Sequence, residues 1–513
     1  MISPTILALI GAPLIYTIIA IFQRLFLSPV SSFPGPKIAA ATYWYEFYYD
    51  IILGGKYIWK LQELHERYGP IIRINPHELH VMDASFWEVM YTASTNNNRR
   101  DKWSWQTDGL GIPESILAAA PHALHRHRRS AINPFFSKQN VRKLLPVIEE
   151  RVDALVRQLK ICGDRREVVS IEHAFSAFTN DVVMQYCFGR CDRHIEAPDF
   201  DPLYHNTSMN AGKSIAVLKH MNWILTTMKL LPESMAIYMG EEVSSNIRLK
   251  RERITQVEAI RSEDSDKVAE RTKTIFHTLL QSDLPDREKE TSRLAEEAVL
   301  LVGAGTHTSS WCLTVIAFHL LSNETLLRQL KNELRTVAPG PDGKPGLSEL
   351  ESLPFLTAVL KEGLRLGYGA TVRSARIAPD TSLRCGNFTI PPGTPVSMTI
   401  PLTHHDESIF KDSNTFNPDR WLSPDSHHLE KYLVSFSKGS RSCAGINLAW
   451  AELYLCASGI FGKYGSKNVR DDVDVGIMEL FETTEGDVKL VSDMFFPIPK
   501  EGSKGVRVKV TTL

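Results

Sequence analysis

The chain has 513 residues, 43% hydrophobic and 23% charged, a composition that excludes a disordered or collagen-like protein. Its 58 Lys and Arg residues balance 59 Asp and Glu residues, and the net charge of −1 excludes nucleic-acid binding over the whole surface. Seven cysteines at low density, with no CxxC pair, argue against a disulfide scaffold and against a zinc site.

The N-terminus predicts a membrane anchor. Residues 5–22 (TILALIGAPLIYTIIAIF) form an uncharged, mostly apolar run that is just long enough for a transmembrane helix. The first basic residues, Arg24 and Lys37, follow the run and favour a cytoplasmic location for the rest of the chain. A cleaved signal peptide is the alternative, but it requires a basic start and a small-residue cleavage site, and neither is present.

The rest of the chain predicts one large domain that is mainly α-helical with small β-sheets. We expect an anchor at 1–27, a proline-rich hinge at 28–40 and a single domain at 41–513. Helical periodicity is clearest at 141–159, 294–321 and 347–366, and strand-like alternation at 71–74, 383–390 and 506–510.

Two motifs in the helical segments carry polar residues with an unusual pattern. Gly303 and Gly305 lie inside the longest helical pattern, where each glycine costs about 1 kcal/mol relative to alanine, so a reason for them is expected. Glu362 and Arg365 stand three residues apart on an apolar helix and can pair on one face. Alone, that second pattern is a common solvated pair.

The most specific segment is a cysteine loop, Phe436-Ser-Lys-Gly-Ser-Arg-Ser-Cys443-Ala-Gly445, followed by a helical pattern. Cys443 stands where the loop becomes a helix, and the positive end of a helix dipole favours the thiolate form that binds metal. Gly439 allows the backbone to turn below the sulfur, and Gly445 leaves space for a flat cofactor. Arg441 provides a fixed positive charge suited to a carboxylate.

This loop resembles the haem-binding signature of the cytochrome P450 family, F-x-x-G-x-R-x-C-x-G, at every fixed position. The resemblance implies the cytochrome P450 fold and haem b, iron protoporphyrin IX, with the Cys443 thiolate as axial ligand of the haem iron. It implies further haem contacts at Phe436, Gly439, Arg441, Gly445, Arg129, His125, Arg376 and His404. Residues 416–421 (FNPDRW) resemble the meander of the family and imply a structural network of Glu362, Arg365 and Arg420.

The Gly305 segment resembles the distal helix of the same family, with its A-G-x-acid-T motif. The resemblance implies that Gly305 helps to open a notch for O2 and that Thr308 passes protons to it. His307 replaces the usual acid, and two alternatives remain for it: a proton shuttle, or a side chain that turns away and binds backbone. The basic residues Arg126, Arg128, Lys138 and Lys438 form either a docking face for an acidic electron donor or a solvated charge cluster.

Several phrases of the chain are similar to fungal secondary-metabolite oxygenases of the trichodiene-oxygenase-like group. We therefore predict a monooxygenase that hydroxylates or epoxidises a lipophilic terpenoid or polyketide. It would receive electrons from NADPH through a separate cytochrome P450 reductase, in the endoplasmic reticulum membrane, as a single-pass protein with a cytoplasmic catalytic domain. The alternatives are a haem-thiolate isomerase or dehydratase that works without O2 and reductase, and a haem sensor or electron carrier. Substrate contacts are expected in the apolar segments 103–117, 209–239, 368–372 and 494–496.

Overall fold

The computed structural model describes residues 4–93, 98–228, 238, 240–263, 274–338, 340 and 344–513. Most of the described chain is helical. The helices are α1 (Pro4–Phe22), α2 (Lys37–Ala41), α3 (Trp44–Phe47), α4 (Tyr57–Tyr68), α5 (Trp87–Met90), α6 (Ser104–Thr107), α7 (His122–Ile132), α8 (Lys138–Asp164), α9 (Ile171–Phe188), α10 (Pro202–His220), α11 (Trp223–Met228), α12 (Glu241–Arg261), α13 (Ile275–Gln281), α14 (Thr291–Ser322), α15 (Glu324–Leu334), α16 (Leu347–Glu351), α17 (Pro354–Gly367), α18 (Ile400–His404), α19 (His427–Glu430) and α20 (Ile446–Phe461).

Short strands form small sheets at the edge of the helical body. They are β1 (Ile71–Arg73), β2 (Leu79–Val81), β3 (Asp101–Lys102), β4 (Val168–Ser170), β5 (Arg376–Ile377), β6 (Leu383–Cys385), β7 (Phe388–Ile390), β8 (Pro395–Ser397), β9 (Tyr464–Gly465), β10 (Gly476–Leu480), β11 (Ser492–Met494), β12 (Phe496–Ile498) and β13 (Arg507–Thr512). A five-stranded sheet has the order β1-β2-β8-β5-β3, and a four-stranded sheet the order β4-β13-β10-β9. The strand pairs β6-β7 and β11-β12 form separate two-stranded sheets. The predicted class, mainly α with small sheets, is confirmed.

Helix α14 runs through the centre of the domain and packs against α9, α12, α17 and α20. Two glycines allow its closest contacts. A Cβ on Gly305 would lie 2.9 Å from Val183 of α9, and a Cβ on Gly363 of α17 would overlap Ile316 of α14. Both glycines therefore bring helix backbones together.

The third predicted helix, at 347–366, is two helices in the structure. Helix α16 ends at Glu351, and α17 begins at Pro354, which occupies the first turn of the new helix. Proline fits that position because its missing N–H would have no partner there. Similarly, the strand-like stretch 383–390 is the hairpin β6-β7, which turns at Gly386 with a φ of 55°.

The N-terminal helix α1 continues as a π-helical turn to Leu27. Among the residues that the structure describes, the helix that is long and apolar enough to cross a membrane is Thr291–Ser322, and most of it is buried in the core. The segment Gly11–Leu27 is a shorter apolar helix. After it, Val30 and Phe33 are buried, and the Arg73 amide donates to the Pro34 carbonyl at 2.7 Å, so these hinge residues pack against β1.

Candidate active site

The cysteine loop is held in a fixed shape below a large cavity. The Cys443 amide donates a hydrogen bond to the Phe436 carbonyl at 2.9 Å, and a tight turn at Gly439–Arg441 separates the two residues. Gly439 has a φ of +73°, and a Cβ there would overlap the carbonyl oxygen of Thr92. Only glycine fits this turn without strain. Helix α20 begins three residues after Cys443.

The cavity above this loop has a volume of about 470 Å³ and is bounded on the opposite side by α14. Cys443 lines this cavity, so its side chain is accessible from the cavity yet enclosed by the surrounding protein. Burial raises the pKa of its thiol, while the Gly445 amide and the Arg129 charge act in the opposite direction. The helix terminus was expected to favour the thiolate; in the protein alone, burial outweighs it.

Positive charge is concentrated in the cavity wall. Among the described residues that line it, one carboxylate, that of Glu452, faces six cations. The cations are Lys102, Arg129, Arg253, Arg373, Arg376 and Arg441. Burial, together with the charge of Arg376, lowers the pKa of Arg441 to about 9, and the pKa of Lys102 is well below its usual value because of burial and the neighbouring arginines. Sequence reasoning missed Lys102, since a lone lysine in a two-residue strand carries no motif.

The backbone holds three of these cations in place. Arg441 donates to the carbonyl oxygens of Ala119 and Ala120, both at 2.7 Å. The Arg129 Nη1 donates to the Ser442 carbonyl at 2.9 Å, which joins α7 to the cysteine loop. The Lys102 Nζ donates to the Leu117 carbonyl at 2.6 Å. The side chains are therefore fixed at the wall before any ligand is bound.

His125 also lines the cavity and is uncharged. Burial lowers the pKa of its ring to about 2, and the charges of Arg441, Lys102, Arg129 and Arg376 act in the same direction. Arg376 is buried and donates to the Ser374 hydroxyl at 2.6 Å. Arg373 lines the same wall but pairs with Glu46, behind it.

His404 lies away from the cavity. Its Nδ1 is 2.7 Å from the Arg365 carbonyl oxygen, and its Nε2 accepts from the Val434 amide at 3.0 Å. It is not among the described residues that line the cavity. Because protein backbone occupies both ring nitrogens, the structure gives His404 a role in joining α17 to the segment before the cysteine loop, in place of the expected contact with haem.

Glu362, Arg365 and Arg420 form one buried network. Arg365 donates to both carboxylate oxygens of Glu362, at 2.7 and 3.0 Å, and the Arg420 Nε donates to Glu362 at 3.0 Å. The remaining Arg365 donors bind the carbonyl oxygens of His404, Ser413 and Thr415. This network connects α17 to the segment that leads into the cysteine loop.

On the distal side, Thr308 and His307 both line the cavity. The Thr308 hydroxyl donates to the Ala304 carbonyl at 3.0 Å. Burial lowers the pKa of His307 to about 3, so its ring is neutral, and its Nε2 has no partner among the described residues. Gly305 contacts Val183 of α9, so its missing side chain serves helix packing, and an O2 notch at this residue stays a prediction.

Glu452 is the second functional candidate that sequence reasoning missed. It lies on α20, in the cavity wall, with burial raising the pKa of its carboxyl to about 8 and a hydrogen bond from Ser309 acting against this. The carboxyl is therefore protonated at neutral pH. A lone glutamate in a helical pattern carries no motif, so nothing in the sequence indicated that its carboxyl is buried beside Ser309 of α14.

The basic cluster around α7 is smaller than the sequence suggested. Arg128 is buried and donates two hydrogen bonds to the Glu288 carboxylate, at 2.7 and 3.1 Å. Its inclusion among the exposed basic residues was therefore wrong. Arg126 and Lys138 are exposed, and Lys438 is 3.2 Å from Glu88. Charge counting cannot detect a partner 160 residues away.

The predicted substrate segments contribute unequally to the cavity. The apolar lining residues from them include Ile112, Ile116, Ile215, Val372, Phe495 and Phe496. Trp103, Trp105 and Trp223 are not among the described lining residues. Trp105 instead stacks on Tyr43, with centroids 4.9 Å apart. Residues 229–237 and 239 of the second segment lie outside the described residues.

The wall residues fit a haem. Four of the six wall cations, Lys102, Arg129, Arg376 and Arg441, have no ion-pair partner among the described residues, whereas Arg373 pairs with Glu46 and Arg253 with Glu252. Such unpaired charges suit a ligand with negative charge, and haem propionates are carboxylates that arginine and lysine bind. A Cβ on Gly445 would meet nothing closer than the Cys443 sulfur at 4.0 Å, so the space beside the sulfur is open for a flat ring. The Cys443 thiol faces that space and would provide a sulfur ligand to the haem iron.

Comparison with known proteins identifies the family. The family model described as Cytochrome P450 matches residues 42–479. The chain is 42% identical to the cytochrome P450 monooxygenase tpcC of Cochliobolus heterostrophus, over 99% of this chain and 97% of that protein. It is also 42% identical to the cytochrome P450 monooxygenase astB of Talaromyces wortmannii, over 99% and 98%, and 38% identical to the tryptophan 6-hydroxylase fscE of Fusarium equiseti, over 95% and 93%.

A solved structure shows the same fold. The cyanobacterial CYP120A1 with bound retinoic acid superposes with a TM-score of 0.68 at 19% identity, over 88% of this chain and 94% of that one. The predicted fold, cofactor and enzyme class are confirmed by the family match: haem b is the cofactor, and a separate redox partner supplies the electrons. The chain belongs to the cytochrome P450 family of haem-thiolate monooxygenases.

Proposed function

We propose that the protein inserts one oxygen atom of O2 into a lipophilic secondary metabolite of terpenoid or polyketide type. The observation that carries this proposal is the position of Cys443 at the floor of a cavity whose upper wall is mostly apolar. When bound, haem supplies the thiolate-assisted cleavage of the O–O bond. Deleting the gene in its host and identifying the compound that accumulates tests the substrate class.

The cationic wall would hold the haem propionates. Arg441, Arg376, Arg129 and Lys102 are fixed by backbone or hydroxyl acceptors, so they present charge without rearranging. His125, which is neutral, adds a ring nitrogen to the same wall. Phe436, Gly439 and Gly445 would shape the loop around the sulfur.

Thr308 and His307 would pass protons to the dioxygen site. Both side chains lie in the distal wall, and a neutral imidazole can accept a proton at one nitrogen and release one from the other. The test is the ratio of product formed to NADPH consumed in Thr308→Ala and His307→Ala. Unchanged ratios in both variants would contradict this role.

The rival function is a haem-thiolate isomerase or dehydratase, which needs neither O2 nor reductase. Thr308, which such enzymes tend to lose, is present in the distal wall and supports the monooxygenase. Oxygen consumption separates the two. We expect it to require NADPH and reductase and to increase with substrate, whereas product formation without O2 would establish the isomerase.

We further propose a single-pass anchor at 1–27 in the endoplasmic reticulum, a hinge at 28–40 and a cytoplasmic catalytic domain at 41–513. Exposed apolar side chains occur beyond α1 and support a membrane-facing surface. They include Phe26, Leu27, Ile38, Trp44, Ile52 and Trp223. The Trp44 ring packs on Phe47, which contacts His220 at the end of α10, so α3 and α10 are adjacent.

Membrane fractionation tests this arrangement. We expect the full chain to remain in the membrane pellet after alkaline carbonate extraction, and a glycosylation acceptor placed at its C-terminus to stay unmodified. Release into the supernatant would contradict the anchor, and modification of the C-terminal acceptor would contradict the cytoplasmic orientation.

NADPH–cytochrome P450 reductase is the proposed electron donor, docking at the exposed cations Arg126 and Lys138 of α7 and α8. Arg126→Glu should raise the KM for reductase and weaken its dependence on salt, because steering charges act mainly on association. Identical reductase kinetics at low salt would contradict this docking face.

A further inference from the structure

A second, smaller cavity adjoins the large one at α14. The two share His307, Thr308, Gly369 and Phe496 in their walls. The small cavity has a volume of about 20 Å³. Because one water molecule needs roughly 10–15 Å³ of such volume and two to four polar partners, this space has the size for a single water.

Three buried nitrogens in its wall lack a hydrogen-bond partner among the residues that the structure describes. They are His205 Nδ1, His307 Nε2 and Trp311 Nε1, on side chains that are more than nine-tenths buried. Leaving a buried polar group without a hydrogen-bond partner is energetically unfavourable. Three such groups around a space for one water indicate a built water site.

The site continues to the outside through Glu172, which also lines the small cavity. Its Oε1 is 3.5 Å from the His205 Nε2, and its side chain keeps 16% of its surface exposed. The His205 and His307 rings lie edge to face, with centroids 5.7 Å apart. A partly exposed acid, two imidazoles and a water site therefore follow one another up to the wall of the large cavity.

Both imidazoles are neutral, which suits them to a relay. Burial lowers the pKa of His205 to about 4 and that of His307 to about 3, whereas burial raises the pKa of Glu172 above its usual value. A neutral imidazole has one N–H donor and one acceptor nitrogen. The His173 ring contacts the His205 ring at a tilted angle, with centroids 5.0 Å apart, and Lys213 lies near His205. These are the other titratable groups near Glu172 and His205.

We propose that a water molecule bound by His205, His307 and Trp311 connects Glu172 to the Thr308 side of the active-site cavity, and that protons enter by this route. The inference rests on the proposed monooxygenase function and extends it beyond His307. Glu172, His205 and Trp311 are positioning residues in this account, since they act through the water and His307.

Each passage moves one proton and changes no oxidation state. The Glu172 carboxyl gives its proton to His205 Nε2, and the Nδ1–H of the same ring gives one to the water. The water gives one to His307 Nε2, and that ring releases its other N–H proton into the cavity. Each passage leaves both rings in the opposite tautomer, so the next one requires that the rings return to their starting tautomers and that solvent reprotonates Glu172. Trp311 Nε1–H remains a donor to the water throughout.

The direct test of the water site is a high-resolution crystal structure of the haem-loaded protein. We expect one ordered water within hydrogen-bond distance of His205 Nδ1, His307 Nε2 and Trp311 Nε1. Absence of a water there, with the three side chains in place, would overturn the proposal.

The test of the proton route uses Glu172→Gln and His205→Gln, with His173→Gln as the matched control. Glutamine keeps hydrogen-bonding capacity but cannot exchange protons as a carboxyl or imidazole does. His173 lies on α9, the helix of Glu172, and contacts His205. It is not among the described residues of either cavity wall.

With reductase and NADPH, and no added substrate, we expect both test variants to slow oxygen consumption about tenfold and to change its solvent deuterium isotope effect. His173→Gln should match the wild type. Unchanged rates and isotope effects in both test variants would refute the route. The carbon monoxide spectrum of the reduced protein distinguishes failure of the proton route from failure of the proposed function. If the wild type lacks the thiolate-type band, the proposed function itself fails.

Discussion

Glu362 and Arg365 form a two-point ion pair inside α17 in which both side chains are completely buried, with N–O distances of 2.7 and 3.0 Å. Burial alone would raise the pKa of Glu362, but the hydrogen bond from Arg365 and the charges of Arg365 and Arg420 hold it below its usual value. The pair therefore fixes the turn that leads to the cysteine loop while remaining charged.

Replacing Glu362 should be severe because it leaves two arginines without their buried partner. We expect Glu362→Gln to lower the free energy of unfolding by about 3–5 kcal/mol and to reduce haem content. Lys361→Gln, on the same helix, removes a pair with the half-exposed Glu430 and should cost at most about 1 kcal/mol. Equal losses in chemical denaturation of the two variants would contradict a special role for the buried network.

Gly439→Ala tests the shape of the cysteine loop. The substitution adds left-handed strain of about 1–3 kcal/mol and an overlap with the Thr92 carbonyl. Gly393→Ala is the control, because Gly393 has a φ of +78° but open space around a new Cβ. We expect Gly439→Ala to lose more stability than Gly393→Ala and to lose most of its haem absorbance. Equal melting temperatures for the two variants would contradict a cost from the overlap with Thr92.

Lys102→Met tests the cationic wall. A charge-assisted hydrogen bond contributes about 1.5–3 kcal/mol, so its loss should weaken haem binding roughly tenfold to a hundredfold. The haem dimethyl ester, which lacks propionate charge, should bind both proteins alike. The exposed Arg99, paired with Asp380, provides the control variant Arg99→Met. A haem affinity of Lys102→Met equal to that of Arg99→Met would refute this assignment.

Glu452 predicts a specific pH dependence. Burial raises the pKa of its carboxyl from 4.5 to about 8, so the folded state binds more protons than the unfolded state between these values. Stability from this group is therefore greatest below pH 4.5 and is lost as the pH rises, by up to about 1.4 kcal/mol per unit. Glu452→Gln should gain stability over the wild type as the pH increases toward 8. Parallel stability curves for the two proteins would contradict a buried neutral carboxyl.

The residues that sequence reasoning found are those fixed by local patterns. The cysteine loop is defined by residue spacing within one loop, and the Glu362–Arg365 pair by spacing on one helical face. Both could therefore be predicted before the fold was known. Pro354 marked a helix start inside a continuous apolar pattern, and the periodicity of the segment concealed it.

The residues that were missed depend on contacts between distant segments. Lys102 lies in the cavity wall because β3 pairs with β5. Arg128 is buried because it pairs with Glu288, which is distant in the sequence. His205 and Glu172 belong to different helices and meet His307 only in the folded chain. Such relationships have no signal in the sequence of a single chain, where a charged residue looks the same whether exposed or buried.

The most direct test of the central claim, that Cys443 provides the thiolate ligand of the haem, is the absorption spectrum of the reduced protein with carbon monoxide. The wild type should show the red-shifted Soret band of a thiolate-bound haem. Cys443→Ala should lack that band even where haem remains bound in the cationic wall. A thiolate-type band that persists in Cys443→Ala, or one that is absent from the haem-loaded wild type, would contradict the account.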